Sequence, residues 1–272
     1  MKIPMDLVIG EGDPNFDELD FYVGAKALEG ASEAIPLIVN TILTRKLTKQ
    51  IPSIEGLHAN FKQSFKSSYG QRFEIEITGS EEINVARWLG TDGLIEIMQY
   101  LIGEAIGQPY QVQNKIAQSW VNSYIEDEFD LINKINGALQ RMHKPVEAQG
   151  YNVRLRRRRK PIAILNQNTL DYISYEHKET HNTEIRAVIT RFNKLTGTGR
   201  LILAETDPSI SFSPGISWQR FPLTQRRKFS KNLDLNNGSD DFTPIKLSVR
   251  RVIGHEGVIK HFKVMSVILE DS

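Results

Sequence analysis

Two runs of side chains in this 272-residue sequence have the types and spacing to do chemistry, and both would act on anions. The first is Val153-Arg154-Leu155-Arg156-Arg157-Arg158-Arg159-Lys160, which holds six basic residues and no acid. A guanidinium fork matches the paired oxygens of a phosphate. Strand alternation sets Arg154, Arg156 and Arg158 on one face and Arg157 and Arg159 on the other. Nothing in that spacing encodes base reading, so contacts to a nucleic acid would go to phosphates, which position a strand without specifying its sequence. The second run is Arg226-Arg227-Lys228-Phe229, inside a long irregular insertion between strands, residues 219–243. There Phe229 is expected to stack on bases, ahead of Tyr172, Tyr175, Phe192 and Trp218.

Other chemistry finds little support. Glu176-His177-Lys178-Glu179-Thr180-His181 brings two imidazoles to positions i and i+4. Its glutamate sits one place too late for a zincin, and the stretch lies between strands, so a polar turn and no metal are expected. The chain has no cysteine, which excludes disulfides, thiolate metal sites and a Cys nucleophile. There is no Walker A loop, no Gly-x-Gly-x-x-Gly between strand and helix, and no Gly-x-Ser-x-Gly elbow. Glu81-Glu82 and Asp240-Asp241 read as a helix start and a loop. The expectation leans away from an enzyme, with no cofactor. No stretch approaches the ~18 continuous apolar residues of a membrane span, and the first residues lack a leader's apolar core. A cytoplasmic protein away from membranes is expected.

The formal net charge of +1 conceals opposed halves. Residues 1–152 carry 13 Lys/Arg and 21 Asp/Glu, and residues 153–272 carry 21 and 12. Either a basic module faces a polyanionic partner, or the two halves attract each other.

The elements that would position these residues change character near Gly150–Pro161. Before it, the segments 57–61 and 73–77 alternate apolar and polar and predict a strand hairpin. Helical spacing follows over residues 25–47, from Ser80 to a stop at Gly107 and Pro109, and from about Val112 to His143. Short strands are expected at 5–9 and 19–23. After Pro161 the period becomes that of strands: 162–166, 170–175, 183–193, 198–204, 209–212, 245–252 and 258–269. Such spacing predicts a small antiparallel barrel. The segments 186–192 and 197–203 resemble the first hairpin of an SH3-like or OB-like barrel, and that resemblance implies a capacity for oligonucleotides. The predicted fold class is α+β: an acidic helix-rich α+β domain over 1–152, then a basic β-barrel domain over 153–272.

Two functions follow as expectations. In the first, the barrel engages a polyanion, with single-stranded nucleic acid or nucleotide the leading class. In the second, the chain is an interaction or assembly protein. Its helix with Trp120, Ile125, Ile132, Ile135 and Leu139 would then pack on a second copy or another protein.

Overall fold

Strand β1 (Lys2–Ile9) is the centre of the first half of the chain. Its side chains alternate in register with the pleat: Ile3, Met5, Leu7 and Ile9 are buried on one face, while Lys2 and Pro4 are exposed on the other. The computed structural model describes residues 1–48, 55–66, 69–123, 128–238, 242–254 and 257–268. They divide into two units, Met1–Ser174 and Tyr175–Ser272.

In the first unit, β1 pairs with β3 (Tyr69–Ile77) and β4 (Val153–Arg157). β2 (Leu57–Lys66) and β5 (Lys160–Leu165) complete an antiparallel sheet of order β2-β3-β1-β4-β5. The predicted hairpin of β2 and β3 is therefore present. Helix α1 (Phe21–Thr44) begins where the Asp20 carboxylate accepts the Val23 N–H at 2.9 Å. That cap is why no strand forms at 19–23. The helix runs through Pro36 and ends with Arg45 in the left-handed conformation. Helix α2 (Ser80–Ile106) stops at left-handed Gly107, and it is broken at Gly90, where φ is 67° and ψ is 161°. Within the expected helix over 112–143 the described residues form α3 (Lys115–Ser123) and α4 (Glu128–Met142). α5 (Lys144–Gln149) and α6 (Gln167–Ser174) follow, the latter where a strand at 170–175 is expected. α1 and α4 approach closely at Gly30, where a Cβ would come within 2.3 Å of the Ala138 carbonyl.

The apolar stripe expected to associate with a partner lies in this unit's own core. Trp120, Ile135 and Leu139 are at most 1% exposed, Ile132 packs half-buried against them, and Ile125 lies outside the described residues. The change of period near Gly150 also has a different meaning. It marks the return of the chain to the first sheet, because β4 lies beside β1 rather than in the barrel. The units therefore meet at Ser174 and Tyr175, and not at residue 153.

The second unit is a closed five-strand barrel: β7 (Thr183–Phe192), β8 (Gly199–Ile202), β9 (Ile210–Pro214), β10 (Ile245–Ile253) and β11 (Ile259–Val267). The ring runs β7-β8-β9-β11-β10 and back to β7, with β9 and β11 parallel and the other pairs antiparallel. A two-residue strand, β6 (His177–Lys178), adds to β10. This order, with a helix between the third and fourth barrel strands, is OB-like. That helix is α7 (Leu223–Asn236), preceded by a single 3-10 turn at Trp218–Arg220. Residues 223–236 of the stretch 219–243 are thus helix and not an irregular insertion. α7 plugs the barrel with Phe229, which stacks between Phe192 at 5.2 Å and Phe212 at 5.7 Å. Asn232 fastens it by accepting the Ile189 N–H at 2.9 Å and donating to the Thr243 carbonyl at 2.7 Å.

Candidate polyanion-binding site

The basic stretch forms the β4–β5 hairpin. Arg157 pairs with Lys160, so Arg158 and Arg159 are the two turn residues. Arg158 has φ 57°, a left-handed conformation that costs a side-chain-bearing residue roughly 1–2 kcal/mol.

The arginines split into two groups. Arg154 and Arg156 lie opposite Val8 and Asp6 on the sheet face away from Ile3 and Met5. Arg156 forms an ion pair with Glu11 and lies 3.6 Å from Asp6, and Arg154 reaches Glu11 at 3.2 Å. Arg72, across from Asp6 on β3, grips the same carboxylate through two nitrogens at 2.8 and 3.3 Å. The Phe65 ring lies 5.7 Å from the Arg72 guanidinium and 5.9 Å from that of Arg156. Three guanidiniums thus surround two carboxylates. The Asp6 side chain is only 5% exposed, and a carboxylate this buried requires such partners. Its hydrogen bonds push the Arg72 guanidinium further up, so that side chain stays charged. Arg157 is held to Asp92 of α2 at 3.0 Å, and Gln99 of α2 donates to the Pro161 carbonyl at 3.0 Å. Arg154, Arg156 and Arg157 are therefore internal counter-ions of the first unit, a role their spacing does not reveal.

Arg158, Arg159 and Lys160 form the other group. All three are exposed, and their side chains make no ion pair among the described residues. They project from a hairpin whose strands the Asp6, Glu11 and Asp92 contacts fix.

The second run divides in the same way. Arg226 donates to the carbonyls of Phe221 at 2.7 Å and Gln219 at 2.6 Å and lies over the Trp218 ring at 5.1 Å, so it holds the turn that starts α7. Phe229 is 1% exposed in the barrel core, with Phe192 and Trp218 packed around it, and cannot offer its face to a base. The spacing of Phe229 and Leu233 with Asn232 is that of a narrow helical stripe. Arg227 and Lys228 face solvent, without ion pairs among the described residues.

A cluster that charge spacing alone does not pick out stands on the wall built by β8, β9 and β11. His261 is bracketed by Ser211 and Ser213, each 2.8 Å from one ring nitrogen. Lys263 donates to Ser213 at 2.8 Å, and Arg200 donates to Ser209 at 2.8 Å. Burial, then the nearby Lys263 and Arg200 charges, hold the His261 imidazole well below its ordinary range, so it is neutral. The alternation of Ser209, Ser211 and Ser213 was the available signal. OB barrels take oligonucleotides on the face of their second and third strands. On β8 and β9, Arg200 and Ser213 are 7% and 6% exposed, and Ser211 between them is half-buried.

The remaining candidates do different things. Glu179 is committed to Arg251 through bonds of 2.9 and 2.6 Å, and that guanidinium holds its carboxyl below the usual range. His177 and His181 are exposed beside it. Among the described residues no group of three or more His, Asp or Glu side chains is placed to hold a metal. Between α1 and the sheet lies an apolar pocket of roughly 400 Å³, open mouth included, lined by Leu28, Ile35, Pro36, Phe61 and Phe73 among others. It carries no charged group and does not suit an anion. No helix among the described residues is long and apolar enough to cross a membrane. With six basic residues reassigned by the boundary, the first unit carries 19 Lys/Arg against 22 Asp/Glu and the second 15 against 11. The opposed charges of the halves largely dissolve, which moves the weight from whole-unit charge to local clusters. No family model, curated protein or solved structure matches the chain.

Proposed function

We propose that this protein is a non-enzymatic binding protein that engages a polyanion, with nucleic acid the favoured class, through the tip of the β4–β5 hairpin. One observation carries the reading. Arg158, Arg159 and Lys160 are consecutive, exposed and unneutralised by described side chains, on a turn whose supporting strands are pinned by three acids. Arg227 and Lys228 form a separate basic surface on α7. Contacts of this type are made to phosphates and bring no sequence preference. Affinity should fall with added salt, since each neutralised phosphate releases counter-ions.

The test is fluorescence anisotropy with labelled DNA and RNA at several salt concentrations. The variant R158S/R159S/K160S should weaken binding to all sequences alike and flatten the salt slope, by up to ~0.7 for each phosphate of a single strand that is no longer neutralised. R227S/K228S measures the α7 contribution separately. Absence of binding by the parent chain at low salt, with an intact circular dichroism spectrum, refutes the reading.

A further inference from the structure

We infer that the nucleic acid taken at this hairpin is single-stranded, and that Trp88 is the surface on which one of its bases stacks. The inference rests on the polyanion reading above and adds what kind of strand is held. The sequence contains three tryptophans. Trp120 is 1% exposed, with its Nε1 donating to the Ile42 carbonyl, and Trp218 is 8% exposed, with its Nε1 donating to the Lys194 carbonyl. Trp88 is 53% exposed. An indole is mostly apolar surface, and leaving half of it in water forgoes burial that the other two achieve.

The position of Trp88 follows from how the hairpin lies along α2. Pro161 is tied to Gln99, and Arg157, nearer the tip, is tied to Asp92. Those helix positions are seven residues apart, about 10 Å of rise. Progress toward the tip is therefore progress toward the Gly90 end of this part of α2, and Trp88 lies two positions beyond that break. Trp88 and Asp92 are four positions apart, so their Cα atoms are at most about 14 Å apart. Between them is the break at Gly90, in a conformation that in practice only glycine adopts. A Cβ built there would meet nothing within 4 Å, so the space at the break is open. Arg87, the residue before Trp88, is exposed and without an ion pair among the described residues.

Cations supply the backbone contacts and an exposed ring supplies a stacking platform, which together make a sequence-tolerant single-strand site. A duplex can satisfy only the cations. Its base faces are already stacked on one another, so it offers Trp88 nothing that heparin does not.

The experiment uses the intrinsic fluorescence of the full chain, because Trp88 is the indole that solvent and ligand reach. Oligo(dT), a DNA duplex of equal phosphate number and heparin are each titrated at low salt. Oligo(dT) should quench the emission and protect it from acrylamide, whereas duplex and heparin should bind without doing either. Trp88→Ala should weaken oligo(dT) roughly 5- to 150-fold, the range for loss of one stacked base, and leave heparin unchanged. Trp88→Phe should restore most of the affinity. If Trp88→Ala fails to fold, the Phe variant and the acrylamide protection of the parent chain still decide. Equal binding of oligo(dT) and duplex with unchanged emission overturns the stacking role and leaves the polyanion reading standing. Failure of all three ligands to bind overturns both.

Discussion

Replacing Phe229 by alanine separates two roles for one ring. If Phe229 plugs the barrel, the loss is one of stability. The side chain is 1% exposed, and besides the Phe192 and Phe212 stacks it meets Trp218 and Phe221, both at 6.1 Å between ring centres. Truncating a buried phenylalanine costs about 3–5 kcal/mol, within which each aromatic pair accounts for about 0.5–1.5 kcal/mol. The Asn232 bonds to Ile189 and Thr243 keep α7 attached, so the barrel end cannot simply collapse into the gap. About 4 kcal/mol is the expected cost. For a unit of roughly 100 residues each kcal/mol moves the melting temperature by about 4–8 °C, so the barrel transition should drop by about 16–32 °C. Differential scanning calorimetry of the full chain measures this, and Phe229→Leu should recover more than half of the drop. A fall of less than about 5 °C, accompanied by several-fold weaker oligonucleotide binding, would refute the plug and return the ring to the ligand.

Two further outcomes follow from the ion pairs and the buried imidazoles. Glu11→Gln removes the shared partner of Arg154 and Arg156 and should tighten polyanion binding while steepening the salt slope, by up to ~0.7 for each further single-strand phosphate neutralised; unchanged anisotropy isotherms would show that those arginines stay unavailable. His143 is 0% exposed, with its ring nitrogens 2.7 Å from the Leu139 carbonyl and 2.8 Å from Thr169 Oγ1, and burial lowers its pKa as it does that of His261. The folded state thus keeps both rings neutral, while the unfolded chain takes up protons below about pH 6.5. Stability should be level above that pH and fall as the pH is lowered from it toward the depressed folded-state values, and His143→Gln or His261→Gln should each flatten the fall in urea denaturation followed from about pH 7.5 to 5.5.

Local patterns in the sequence carried the elements further than they carried the site. The alternation at 57–61 and 73–77 predicted β2 and β3, Gly107 predicted the end of α2, and the strand period with its turns predicted the barrel. Sheet membership was out of reach. Alternation states which side chains of β4 share a face, but not that the face lies beside β1. The partners of the arginines were hidden for the same reason: Glu11 is 143 residues from Arg154 and 145 from Arg156. In α7 the basic run masked a helix whose buried stripe is only one residue wide in places, with Phe229 and Asn232 fully buried. Sequence spacing could select cations, but only the fold distinguishes those neutralised by distant acids from those left at the tip.

The order β2-β3-β1-β4-β5 also bears on how the first unit comes into being. Its central strand is synthesised first, and one of its two neighbours, β4, begins 144 residues after β1 ends. At about 5–20 residues per second, β1 waits roughly 7–30 s on the ribosome before both sides can be paired. During that wait Leu7, Val8 and Ile9, buried in the finished unit, have no β4 to cover their edge. The β1–β3 pairing can form early, yet the sheet stays half-built with an open apolar margin, and such margins recruit other chains. Slow translation should therefore expose this protein to aggregation more than its finished surface suggests, and the window should close once the β4–β5 hairpin has left the exit tunnel.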